Sequence, residues 1–250
     1  MSQTPRSTTV ASNRTRRSIS FAITLLMAAC TLQAQSLQGG LNLLVGIPQG
    51  AFKDNVNRAG VGIGGNIGLA PSGFAYMVGF EFGYMNYGTE KRQEPFSTTI
   101  PDVTVDVETE NNFALGHLIF RLQPNTGLIR PYLEGAVGGN YLFTKTTIQN
   151  RGKSGEEVAS STNLDDFAFS YGGGGGVLVS VHNTETKDKD TGESKPAEVL
   201  VELRCRYLAG SQAEYLKEGS IRRVAGRVVY DVKKSQTDLL SIQIGVAFRF

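Results

Sequence analysis

Seven ionisable side chains sit at alternate positions within otherwise apolar or small-residue stretches: Glu81, Glu134 and Glu202, with Arg121, Arg204, Arg206 and Arg249. Carboxylates and guanidiniums so placed can neutralise one another in a buried network or line a proton or ion path. Neutralisation is the expected role, because an unpaired charge away from water costs several kcal/mol. Acid–base catalysis would need a histidine within reach of a hydroxyl and an acid. The chain has only His117 and His182: His117 has no hydroxyl or acid at a fixed spacing, and His182, within Ser180-Val181-His182, would need a Ser–His geometry that nearness in sequence does not supply. The run Gly172 to Gly176 lacks the Lys-Ser/Thr that a phosphate-binding loop requires, and the series from Gly60 to Gly68 matches no dinucleotide fingerprint. Asp188, Asp190 and Glu193 do not keep the spacing of a calcium loop. No catalytic residue, cofactor or metal is therefore expected.

The elements that carry those charges alternate with period two, as strands with two unlike faces do. At the C-terminus Leu240, Ile242, Ile244, Val246, Phe248 and Phe250 share one face, and Ser241, Gln243, Gly245, Ala247 and Arg249 the other. Seven further stretches follow the same rule. They begin near Leu37, Gly60, Phe74, Phe113, Leu133, Phe167 and Val199. In the fourth, Ala114, Leu118, Phe120 and Leu122 are expected outside, and His117 and Arg121 inside. Each stretch has about the length of a tilted membrane-spanning strand. Glycine accounts for 30 of 250 residues, which argues against a helical bundle.

The chain divides in two. Arg14, Arg16 and Arg17 precede an apolar run, Ile19 to Ala29, of 11 residues, too short to span a bilayer as a helix. Residues 1–34 have the pattern of a secretory signal peptide, cut after Ala34. Met27 to Cys30 resembles a lipoprotein box with an unusual Met, and Thr15-Arg16-Arg17 a twin-arginine signal; the plain signal peptide is the expectation for both. All four basic residues of that stretch would leave with it. Residues 35–250 then hold 21 basic and 23 acidic residues, a balance that disfavours nucleic-acid binding. Only Cys205 would remain, so no disulfide is expected.

Eight strands can form a sandwich, a soluble barrel or a membrane barrel. The small and charged face could not fill a sandwich core. A narrow membrane barrel turns its apolar face to lipid and keeps Gly, Ser and charges inside. The connections alternate in length: Ala70 to Gly73 and Gln123 to Ile129 are short, while residues 48–59, 89–112, 145–166 and 211–238 are long. Short turns on one side and long loops on the other suit such a barrel. Residues 182–198 break the pattern and read as a solvated, mobile segment, and Val103 to Glu108 reads as a strand extension inside a long loop. Tyr84, Tyr87, Tyr141, Phe143 and Phe167 are expected in an outer aromatic girdle, and Phe74, Tyr132, Phe248 and Phe250 in an inner one.

The C-terminal alternation ending in Phe-Arg-Phe (Val246, Phe248 and Phe250 on one face) resembles the signature by which bacterial outer-membrane barrels are recognised for insertion. With the signal peptide and the segments GGLNLLVGIP, RPYLEGAVGGNY and VELRCRYLAG, residues 36–250 resemble the small eight-stranded OmpA/OmpX-like outer-membrane barrel family. The resemblance implies an all-β fold, an eight-stranded antiparallel up-and-down transmembrane β-barrel in the cell outer membrane. It also implies outer-membrane lipid and the barrel-assembly machinery as partners. The expected function is structural, adhesive or surface-binding, through the extracellular loops and with no enzymatic activity. A barrel-embedded lipid- or peptide-modifying enzyme and a small-solute, porin-like pore are the alternatives. Arg222, Arg223 and Arg227 could grip lipopolysaccharide phosphates, or serve only as a solvated face. An extracellular protein or other surface ligand is the further partner expected, and a peptidoglycan-binding domain after Phe250 is not expected.

Hairpin registers give two specific pairings. A turn centred between residues 127 and 128 sets Glu134 opposite Arg121. A loop centred between residues 225 and 226 sets Glu202 opposite Arg249.

Overall fold

A computed structural model describes residues 35–71, 73–97, 100–150, 156–187, 194–224 and 227–250. Residues 1–34, expected to be a signal peptide and including Cys30, lie outside the described residues, as do Asp188, Asp190 and Glu193. Eight strands close into one antiparallel barrel: β1 (Gln35–Pro48), β2 (Gly60–Pro71), β3 (Tyr76–Ser97), β4 (Ile100–Leu122), β5 (Ile129–Asn150), β6 (Glu156–Lys187), β7 (Ser194–Gly210) and β12 (Leu239–Arg249). Four short strands lie between β7 and β12: β8 (Gln212–Tyr215), β9 (Ile221–Val224), β10 (Arg227–Tyr230) and β11 (Lys233–Gln236). A six-residue helix, α1 (Gly50–Asn55), joins β1 to β2. We call the end where Leu37 and Phe250 exchange backbone hydrogen bonds of 3.0 and 2.9 Å the lower rim.

Closure follows from alternation. Each strand turns its apolar set outward, so Leu41 is 72% exposed and Leu133 68%, whereas Arg121 and Arg206 are at most 1% exposed. Val246, Phe248 and Phe250 also point outward. In water such a surface would be untenable; in hydrocarbon it is the expected exterior of a barrel. The molecule is an eight-stranded antiparallel transmembrane β-barrel.

Several strands are far longer than the 9–11 or so residues that cross a membrane. β3, β4 and β5 run for 22, 23 and 22 residues, and β6 for 32. Most of residues 89–112 and 145–166 is therefore paired strand rather than loop: β3 and β4 stay paired out to Ser97 and Ile100, with register shifts between Asn86 and Gly88 and between Pro95 and Ser97. The connection read as a mobile segment is also a ladder at its base, with β6 and β7 paired as far as Lys187 and Ser194. A high content of charged and small polar residues does not prevent pairing when the ladder beneath already holds the strands together.

Two aromatic assignments are corrected. Tyr87 and Tyr132 are each only 4% exposed and lie inside, not in the girdles. Tyr132 shares the parity of Glu134, and Tyr87 that of Glu81, so alternation itself points them inward. Tyr84, Tyr141, Phe167, Phe74, Phe248 and Phe250 do face out.

Glycine supplies the space that a narrow barrel needs. A Cβ at Gly138 would lie 2.1 Å from the Gly116 carbonyl, while one at Gly116 would meet nothing within 4 Å. Gly138→Ala should therefore abolish the compact, faster-migrating species on unheated electrophoresis, and Gly116→Ala should leave it intact. Equal behaviour of the two variants would contradict this packing.

Candidate functional site

The interior is built in tiers. At mid-height β7 places Glu202, Arg204 and Arg206 on one face because they are two residues apart. β3 adds Glu81, β4 adds Arg121 and β5 adds Glu134. Three carboxylates thus meet three guanidiniums, and none of the six is more than 6% exposed. Arg121 Nη2 lies 3.0 Å from Glu134 Oε2 and 3.0 Å from Glu202 Oε1. Arg204 reaches Glu81 Oε1 at 3.1 Å and Glu202 Oε2 at 3.3 Å. Arg206 contacts Glu134 at 3.3 Å and Glu81 more closely still. Such a network is stable only when neutral, since removing one partner strands a charge in a low dielectric.

Two residues not anticipated from sequence complete it. Tyr132 donates its hydroxyl to Glu202 at 2.5 Å and lays its ring 4.0 Å under the Arg121 guanidinium. Gln243 donates to Glu81 at 2.8 Å. Both have inward parity, which was the available signal.

The register brings Arg121 opposite Glu134. It does not bring Glu202 opposite Arg249: Glu202 faces Gly245, and Arg249 faces Glu198. The outermost pair, Val224 with Arg227, does have the register of a loop centred between 225 and 226. Below it, the five residues 216–220 between β8 and β9 stand against only two between β10 and β11, residues 231 and 232. One more residue slips between the β8–β11 and β7–β12 ladders. Gly219, at φ 78°, makes the turn that absorbs much of this excess.

Arg249 instead closes the lower mouth. Its Nε donates to Ser36 at 2.9 Å and its Nη1 to the Asn125 carbonyl at 2.7 Å. Glu198 accepts from Arg130 at 2.8 and 2.5 Å and from Ser180 at 2.7 Å. Between this rim and the central network lies an apolar layer of Tyr132, Leu178, Leu200 and Ala247.

The upper mouth is stopped by α1. Phe52 is fully buried, with its ring 5.0 Å from that of Tyr215 and 6.0 Å from that of Tyr87. Leu44, Phe113, Leu115 and Leu208 pack in the same cluster. The bore is thus filled by charge pairs in the middle and by apolar side chains above and below.

His117 lies opposite Glu81 on one side and Gly138 on the other, with Ser170 one strand further round. Neither His117 nitrogen nor the Ser170 hydroxyl has a hydrogen-bond partner among the described residues. His182 is exposed near the lower rim, 2.7 Å from the Thr184 hydroxyl.

Above the upper rim, β8 pairs with β11 and β9 with β10. The β9 side is tied to the β3 extension. Arg92 donates to the Ile221 carbonyl at 3.0 Å, the Gly219 N–H to Glu90 at 2.9 Å, and Arg223 to Glu94 at 3.2 Å. Of the three arginines expected to face lipopolysaccharide, Arg223 is therefore already engaged. Among the described residues Arg222 donates to the Gly219 carbonyl at 3.3 Å and acts on Asp231 through space, and exposed Arg227 has no carboxylate partner. Asp231 accepts from Lys233, which holds its carboxyl below the usual carboxylate range.

No protein-family model matches the chain, and no curated protein matches it. Among solved structures it is similar to Neisserial surface protein A, at 11% identity over 86% of this chain and 95% of that one, with a TM-score of 0.35. It is similar also to a major outer membrane protein from Thermus thermophilus, at 9% identity over 86% of this chain and 99% of that one, with a TM-score of 0.33. The barrel's own closure and its two unlike faces, not these distant likenesses, carry the fold.

Double-mutant cycles read the network directly. Arg121→Ala and Glu134→Ala should couple by about 1–3 kcal/mol, and Glu202→Ala and Arg249→Ala by less than about 0.5 kcal/mol. Glu134→Ala alone should cost about 3–5 kcal/mol in urea unfolding from vesicles. At the exposed Arg58–Glu218 pair, Arg58→Ala should cost under about 1 kcal/mol. Strong coupling between Glu202 and Arg249 would refute the register.

Proposed function

We propose that this chain is a bacterial outer-membrane barrel whose work is done by its upper, cell-exterior face, in surface binding, adhesion or envelope structure rather than in transport or catalysis. One observation carries the reading: the bore is closed along its length, while the upper strands are joined by contacts between distant segments. A neutral network beneath an apolar stopper offers no continuous path to a solute. The segments above the rim, in contrast, are pinned together by Arg92, Glu90, Glu94 and Arg223, and by the Arg58–Glu218 pair at 2.5 Å. A rigid, solvent-facing platform suits binding, because less ordering entropy is lost when a partner arrives.

The reading separates from its rivals by direct assays. Planar bilayers holding the purified chain should show no conductance steps, and lipid A from expressing cells should have an unchanged mass spectrum. Cells displaying the intact chain should adhere to an array of serum and matrix proteins. Cells in which residues 212–236 are replaced by a short Gly-Ser turn should lose that adhesion while the barrel still folds. Conductance steps, a modified lipid A, or adhesion indifferent to the replacement would each contradict the proposal.

A further inference from the structure

β10 stands apart from the rest of the upper face. It is one of two strands in its sheet, and its partner β9 lies on the side tied to β3. No other strand pairs with β10 among the described residues, so one whole edge of backbone N–H and C=O groups is open. Open edges are ready templates for another strand. Natural proteins usually blunt them, yet here the side chains favour addition. Val228, Val229 and Tyr230 are each about half exposed, and Val232 just beyond the strand is 42% exposed. All are β-branched or aromatic, the residue types that suit a pleated surface.

Charge distinguishes the two faces of this ribbon. In register, Arg223 pairs across from Val228 and Ile221 from Tyr230. That face is partly satisfied, since Arg223 meets Glu94 and Ile221 is buried. On the opposite face Arg222 lies across from Val229, and Arg227 is two residues from Val229 along β10. These two guanidiniums flank an exposed valine and form no salt bridge among the described residues; Arg222 acts on Asp231 only through space, and that carboxylate is already bonded to Lys233.

We infer that the open edge of β10 takes an extended, acidic segment of a partner protein as an added strand. The inference deepens the surface-binding reading above and rests on it. The added strand would complete the backbone ladder, its carboxylates would meet Arg222 and Arg227, and its alternate side chains would cover Val228 and Tyr230 or Val229. Lipopolysaccharide phosphates could engage the same two arginines. They would leave the strand edge unpaired and the four apolar side chains uncovered, so a polypeptide satisfies more of what is exposed.

The test uses the full chain in phosphatidylcholine nanodiscs, with a seven-residue peptide alternating glutamate and valine as probe. A lysine–valine peptide and lipopolysaccharide micelles are the comparison ligands. The acidic peptide should bind at least tenfold more tightly than the basic one. It should slow amide hydrogen exchange at those alternate residues of 227–230 whose N–H groups face the open edge. Replacing both Arg222→Glu and Arg227→Glu should reverse the preference. Alternate residues of β10 aim their N–H groups at β9 and at the open edge. One of Val228→Pro and Val229→Pro should therefore abolish binding while exchange protection in β9 stays unchanged.

Equal or absent binding of the two peptides overturns the inference, as does unaltered exchange at 227–230. Arginine-dependent binding of lipopolysaccharide alone overturns it in favour of a lipid ligand. If replacing residues 212–236 abolishes cell adhesion but the peptide fails to bind, the surface-binding reading stands and the edge inference falls. If the replacement leaves adhesion intact, both fall.

Discussion

Ionised side chains cannot face hydrocarbon, and inside a bore this narrow they cannot remain unpaired. Everything else in the molecule answers that constraint. Three glutamates and three arginines meet at mid-height and sum to zero, with Tyr132 and Gln243 supplying further polar contacts. The glycine content follows from the same demand for room. A Cβ at Gly176 would lie 2.5 Å from the Tyr132 hydroxyl, and one at Gly174 would lie 2.6 Å from the Arg206 Cα. Large inward side chains on one strand require none on the next. The inward glycines of the run on β6 are thus the negative image of Tyr132, Arg206 and their neighbours.

With the bore filled, the proposed surface-binding role rests on the segments above the upper rim. With Phe52 stopping the upper mouth and Arg249 bracing the lower one, the interior is a strut. The strands that would otherwise end at the membrane surface continue upward and carry β8 to β11 with them. Cross-segment contacts at Glu90, Arg92 and Glu94 fix this outer part to the barrel, so its orientation is set by the same ladders that cross the membrane.

Much of this was legible in the residues. Alternation identified the strands and the outward face, and a short turn set Arg121 opposite Glu134, because few residues intervene and slippage has little room. The pairing of Glu202 with Arg249 failed for the converse reason. Twenty-eight residues separate β7 from β12. Within them five residues face two across the ribbon, and sequence symmetry about a midpoint says nothing of where such an excess is absorbed. Tyr87 and Tyr132 were misplaced because aromatic residues near strand ends suggested girdles more strongly than their parity suggested the interior. The ion pair of Arg130 with Glu198 lay on inward positions and was readable in principle. The role of Phe52 was not, since a six-residue helix in a polar connection leaves no periodic trace.

Cys205 offers the most direct test of the central claim. It sits on β7 between Arg204 and Arg206, exposed where they are buried. With Cys30→Ser to leave a single thiol, a fluorophore on Cys205 in lipid vesicles should be strongly quenched by brominated acyl chains. The same thiol should resist a charged, water-borne maleimide. A fluorophore at Ala247→Cys, in a chain also carrying Cys205→Ser, should escape the lipid quencher. Ready maleimide labelling of Cys205, with no quenching from the bilayer, would mean that the apolar face does not look into hydrocarbon.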